Sequence, residues 1–247
     1  MNEILTQLKN RKSVRVYEDK TITQEVKQEI INAALEAPTA GAMMLYSIID
    51  ITDSEKKEAL SVLCDNQPFI AKAPLVLVFL ADYQRWYDTF SYEGCNPRNP
   101  GMGDLLLASA DAIIAAQNTV VAAESLGLGS CYIGDIIEHC EDIRELLNLP
   151  EYVVPAAMLV YGYPTQSQKE RKKPARFDRE YIVFENSYQC LNKEQHEEMY
   201  LKREEKAGHS HKDMKESIQA FCQRKYMSDF SLEMNRSVEE YLKKFKK

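Results

Sequence analysis

The sequence predicts helical layers on both faces of a β-sheet, an α/β/α sandwich followed by a charged helical extension, and three observations carry that reading. Leu75 to Ala81 and Val153 to Tyr161 are apolar at consecutive positions, the pattern of strands covered on both faces. Leu105 to Leu126 is small and apolar nearly all round, so as a helix it needs cover on every side. From Asn192 onward the chain turns charged, with a thin apolar stripe of Ile218, Phe221, Val238, Tyr241 and Leu242. The pattern allows roughly four to six strands and leaves their direction open.

Taken in order, Ile4 to Leu8 reads as a short helix. Thr23 opens a longer one, with Glu25 in its first turn and Val26, Ile30, Ile31 and Ala34 at helical spacing until Pro38 stops it. Leu45 to Thr52 is rich in β-branched and aromatic residues and reads as a strand, after which Asp53 caps a helix carrying Ala59, Leu60 and Leu63. Asp82 to Gly103 gathers Tyr83, Trp86, Tyr87, Phe90 and Tyr92 ahead of Pro97 and Pro100, and reads as an aromatic loop. The tail is helical in pattern, interrupted near Gly208 and around 227–230.

Composition narrows the function. A chain of 247 residues fits one large domain with a helical appendage. Its hydrophobic share of 45% and charged share of 28% support a packed core. A net charge of -7 repels phosphates, which argues against nucleic acid or an anionic membrane surface as partner. The amino-terminal residues lack the apolar core of a signal peptide, and no apolar run is expected to reach membrane-spanning length, so the reading is cytoplasmic. Six cysteines without CxxC spacing read as reduced thiols. The tightest candidate metal group is His209 and His211, with His139 and Cys140 far upstream, too few ligands to expect a metal.

Five short segments carry chemistry. Arg11, Lys12, Ser13, Val14 and Arg15 join three cations to a hydroxyl, a set that suits a terminal phosphate and a polyol and equally a solvated helix end. Ala37 to Gly41 is a small-residue turn that lets a flat ring approach backbone. Gln67 offers an amide able to pair with donor and acceptor edges of a heterocycle. Gly127 to Gly134 superficially looks like a dinucleotide loop, yet it follows a helix and lacks the last glycine of GxGxxG. Lys173 to Arg176 closes a run with five basic residues in the eight positions 169–176. No GxSxG, HExxH or Walker A sequence is present, so a bound cofactor would have to supply the chemistry, and no catalytic side chain is assigned.

In this order, RKSVR at 11–15, APT at 37–39, Gln67, AESLGLGSCYIG at 123–134, KPAR at 173–176 and ENSYQ at 185–189 resemble the nitroreductase family, and within it the NADPH-flavin oxidoreductase and oxygen-insensitive nitroreductase branch. The resemblance implies an α+β, three-layer α/β/α fold with a mixed, mostly antiparallel sheet. It implies an FMN-binding domain over 1–190 and a helical extension over 191–247 packed on the body or on a partner subunit. It also implies a homodimer with FMN at the subunit interface, and ping-pong electron transfer from NADPH or NADH to a small acceptor such as a nitroaromatic, a quinone or free flavin. By position, Arg11, Lys12, Ser13 and Arg15, joined by Lys173 and Arg176, would hold the FMN phosphate, ribityl chain and ring edge. Thr39 and Gln67 fall where the family contacts flavin, and Tyr132, Ile133 and Gly134 match the loop near the reactive edge of the ring. The sequence departs from the branch at Ala42, Met44, Ala175 and Phe184. A flavin-storing or flavin-sensing protein, and an interaction protein built on the tail, stand as alternatives.

Overall fold

A computed structural model of the chain describes residues 2–209 and 214–246, so His211 lies outside the described residues. In chain order the helices and strands are α1 (Glu3–Asn10), α2 (Gln24–Leu35), β1 (Tyr46–Asp50), α3 (Ser54–Leu63), β2 (Leu75–Asp82), α4 (Gln84–Tyr92) and α5 (Met102–Ser125). They continue as β3 (Gly129–Ile133), α6 (Cys140–Leu147), β4 (Val153–Gly162), α7 (Gln166–Glu170), α8 (Lys193–Ala207), α9 (Met214–Lys225) and α10 (Asp229–Leu242). The described chain forms two compact units, 1–171 with 229–247 as one and 172–228 as the other.

The first unit is the sandwich. Its four strands run in the order β1-β2-β4-β3, and every neighbouring pair is antiparallel. A parallel bridge between Ser13 and Ser130 adds the mixed element. Val76, Val78 and Leu80 of β2 face one layer with Leu60 of α3 and Ile143 and Leu147 of α6. Leu75, Leu77 and Phe79 face the other, with Ile30 and Ala34 of α2 and Ala112, Ala115 and Ala116 of α5. Both faces of β2 are therefore buried along its whole length, which explains its unbroken apolar run in an antiparallel sheet.

Local signals set the helix starts. Thr23 and Asp53 cap α2 and α3, the Asp53 carboxylate accepting from Glu55 N (2.8 Å) and Lys56 N (3.2 Å). Several expectations are corrected. The aromatic stretch after β2 is not a loop, because residues 84–92 form α4. Tyr132 and Ile133 lie on strand β3 rather than in a loop, and Gly134 opens a short helical turn, Gly134–Ile137. At 24 residues, α5 is long and apolar enough by composition to cross a membrane, contrary to the expectation that no run reaches that length. The physical reason is its alanine content, which lets it lie close to both α2 and the sheet. Tyr241 of α10 and Phe245 are buried in the first unit beside Tyr152 and Val154.

Candidate functional site

The cationic segment 11–15 is fixed against the sheet by a gap in it. Gly129 of β3 and Gly162 of β4 are register partners. A Cβ on Gly129 would fall 2.3 Å from a Val14 methyl, and one on Gly162 would fall 2.5 Å from the Tyr17 ring. Two opposed glycines thus open a slot that Val14 and Tyr17 fill, the close approach that only glycine allows. Val14 N donates to Ser130 O (2.9 Å), and the Tyr17 hydroxyl donates to Val14 O (3.0 Å). With Val14 buried, its neighbours in the extended segment are turned away from the slot.

Those neighbours meet further cations. Lys12 Nζ donates to the carbonyls of Lys169 (2.6 Å) and Arg171 (2.5 Å), while Arg171 Nη2 donates to Ser13 O. Arg171 Nε is buried without a hydrogen-bond partner. Arg11 ends α1 and faces Tyr132, whose hydroxyl is pushed up to about 12 by burial with Arg11 opposing. Arg15 is exposed, takes Gln168 Oε1 on its backbone N (3.3 Å), and stands over the Phe69 ring at 5.7 Å. A groove of about 600 Å³ lies beside Arg15, Tyr17, Lys20, Phe69 and Lys72, but Arg15 alone of the expected cofactor contacts lines it.

Gln67 follows Asp65 and Asn66, two left-handed residues (φ 59° and 51°) that reverse the chain after α3. Its Nε2 donates to Cys64 O (2.8 Å) and to Asp135 Oδ2 (2.7 Å), so both amide hydrogens are engaged and the oxygen is what Gln67 can offer a ligand. Asp135 is next to Gly134. Glu138, at the end of the same turn, is 2% exposed, and its carboxyl is pushed up to about 8 by burial first and by Asp135 second.

Thr39 opens a tight turn in which Gly41, Ala42 and Met44 are all left-handed (φ 56°, 56° and 49°). Buried Asp111 of α5 holds it, accepting from the Thr39 hydroxyl, Ala40 N (3.1 Å) and Leu45 N (3.2 Å). Thr39 Oγ1 in turn accepts from Met44 N (2.8 Å). From α4, Trp86 Nε1 donates to Met43 O (2.7 Å) and Arg85 Nη2 to Tyr46 O (2.8 Å). In the second unit, Arg176 donates to Pro174 O (3.2 Å), and Lys173 lines a cavity of about 370 Å³ with Lys172, Arg203, His209 and Phe221.

The sequence model of the nitroreductase family matches residues 8–163. The chain belongs to the nitroreductase family. A Cr(VI) reductase of Pseudomonas sp. (strain G-1) is 35% identical over 240 residues, 96% of each chain. An FMN reductase (NADPH) of Bacillus subtilis is 35% identical over 192 residues, 76% of this chain and 75% of that one. Among solved structures, the NADPH:FMN oxidoreductase of Vibrio harveyi complexed with NAD+ superposes with a TM-score of 0.81 at 28% identity, covering 98% of both chains.

In this nitroreductase, contacts link most of the expected positions in a row: Ser13 to β3, Arg11 to Tyr132, Arg15 to the Gln67 loop through Phe69, and Gln67 to the turn that Gly134 opens. Thr39 stands apart, its hydroxyl spent on Asp111 of α5 and on Met44 N, and Lys173 and Arg176 belong to the second unit. Four residues were missed. Arg171 lay inside the basic run already counted, and Asp111 was legible as the single charge in the middle of an otherwise apolar helix. Asp135 and Glu138 had no such signal, since charged residues before a helix are ordinarily solvated.

Proposed function

We propose that this nitroreductase is an FMN-dependent oxidoreductase that accepts a hydride from NADPH or NADH and reduces nitroaromatics, quinones or free flavins, as a cytoplasmic homodimer with FMN at the subunit interface. The observation that carries the reading is the cationic edge at 11–15, where Arg171 Nε is buried and unpartnered beside Ser13. A buried donor left open costs roughly 1–3 kcal/mol, and an anion is the ligand that removes that cost. The names of the relatives, FMN reductase and NADPH:FMN oxidoreductase, point the same way.

When bound, FMN would supply the two-electron chemistry, reduced in one half-reaction and reoxidised by the acceptor in the next, which is a ping-pong cycle. The protein's part is to bind and orient. Arg171, Arg15 and Ser13 would take the phosphate and polyol, with Lys12 fixing Arg171 through its carbonyl. Gln67 would offer its amide oxygen to a ring N–H, and the Tyr132 to Gly134 backbone would offer donors to the ring edge. A second copy fits the apolar surface of the first unit: Leu106, Leu107, Ile113 and Ile114 of α5 are exposed, as are Ile4, Leu5 and Leu8 of α1.

The test is an absorbance spectrum of purified, FMN-reconstituted protein without oxygen, before and after NADPH or NADH, with sedimentation of the same sample. Flavin bands that bleach, on a particle of twice the chain mass, are expected. Flavin that neither nicotinamide bleaches would refute the oxidoreductase reading, and a monomer that holds FMN fully would refute the interface.

A further inference from the structure

Gln67 ends a chain of side chains that the proposed function leaves unused. Asp135 receives the Gln67 amide at 2.7 Å, and Glu138 N donates to Asp135 O (3.0 Å), which sets the two carboxyls on one short turn. Glu138 is almost fully enclosed, and its Oε1 has no partner. A carboxyl this enclosed, with a second carboxyl on the same turn, does not ionise cheaply, so Glu138 keeps its proton.

The surroundings reinforce the protonated state. Besides Asp135, the groups acting on Glu138 are Asp65, from the loop after α3, and Glu233 of α10. The thiol of Cys64, at the end of α3, is itself pushed up, by burial first and then by Asp135 and Glu138. The cation nearby is spent elsewhere, since Arg236 pairs with Glu233 and Glu141 at 2.8 Å each, and the His139 imidazole Nδ1 lies 3.6 Å from Glu233. A charged Glu138 therefore faces burial and three carboxylates.

We propose that Glu138 is a positioning residue for the flavin: carrying its proton, it donates to Asp135 and so holds the Gln67 amide with its oxygen presented to a ring N–H, and losing the proton it repels Asp135 and releases that amide. The proposal rests on the FMN reading given above. It makes cofactor affinity fall with rising pH through a group that need not touch the cofactor. A glutamine at 138 keeps a donor toward Asp135 but cannot ionise. An asparagine at 135 keeps an acceptor for Gln67 and removes the opposing charge.

The experiment measures FMN dissociation by quenching of flavin fluorescence between about pH 6 and pH 9 at constant ionic strength, for wild type, Glu138→Gln and Asp135→Asn. Wild type is expected to lose affinity about tenfold across that range, the worth of one hydrogen bond, while both variants keep the low-pH affinity throughout. In parallel, the side-chain amide resonance of Gln67 is followed in FMN-free wild type. It is expected to move with the same midpoint as the affinity, which does not depend on either variant folding. A wild-type affinity that is level with pH, a fall that persists in Glu138→Gln, or a Gln67 resonance that does not respond each overturns the proposal. Wild type that binds no FMN at any pH removes the cofactor reading instead, and the moving Gln67 resonance would show that the Glu138 linkage to the amide stands without it.

Discussion

The two compact units of this nitroreductase are held by different forces. In the first, three apolar clusters pack around a sheet whose central strand β2 is buried at every residue. In the second, residues 172–228, Tyr181 is the only buried residue among those described, and neither α8 nor α9 buries any. Charge does the work there. Lys202 reaches Glu180 (2.9 Å) and Glu198 (2.8 Å), Lys206 pairs with Asp178, and Arg203 lies over the rings of Phe177, Tyr200 and Phe221. The contrast teaches where each unit is vulnerable: salt does not screen apolar burial, whereas half-exposed ion pairs weaken as ionic strength rises.

The sharpest way to break the comparison is at a buried carboxylate inside the apolar unit. Asp111 is 3% exposed on α5, and its carboxylate is shared among Thr39, Ala40 and Leu45. Asp111→Ala strands donors at all three, the Leu45 N–H fully buried and the other two half-buried, and frees a turn with three left-handed residues. A loss of about 3 kcal/mol is expected, read as a lower urea midpoint for the whole first unit. A change within about 0.5 kcal/mol would mean that water replaces the carboxylate and that the turn holds itself.

How much of this was legible follows from where each signal lies. β2, β4, α2, α3 and α5 were readable because burial on both faces, helical periodicity and the Thr23 and Asp53 caps are written locally. β3 was not, because GLGSCYIG reads as a loop until β4 and Ser13 pair with it across the chain. α6 escaped because it is bounded by left-handed His139 and Asn148 (φ 48° and 50°) rather than by a usual capping residue and glycine. The cationic edge was legible as a motif, yet the slot made by Gly129 and Gly162 that fixes it is a three-dimensional fact. Asp135 and Glu138 take their chemistry from burial, which composition does not report.

A smaller effect tests the second unit on its own terms. Arg203 is mostly covered, ion-paired with Glu204 at 2.9 Å and stacked on three rings. Arg203→Ala is expected to cost about 1–2 kcal/mol locally, seen as faster proteolysis and amide exchange within 172–228 with the melting of the first unit unchanged. Raising salt to about 1 M should loosen wild type in the same direction. Cleavage that stays slow in both cases would place the unit's stability in its apolar contacts after all.

The smallest effect returns to the strained turn and has the opposite sign. Ala42 sits at φ 56°, where an L side chain pays about 1–2 kcal/mol that glycine does not. Against that, glycine loses roughly 0.5–1 kcal/mol more chain entropy on folding. The difference leaves Ala42→Gly stabilising by about 0.5 kcal/mol, measurable as a raised urea midpoint with an unchanged slope. The result also sorts the causes of strain. If Ala42→Gly stabilises only in the Asp111→Ala background, the carboxylate has been forcing the turn into its conformation. If it stabilises equally in both, the conformation belongs to the turn itself, and Asp111 merely satisfies the backbone it finds there.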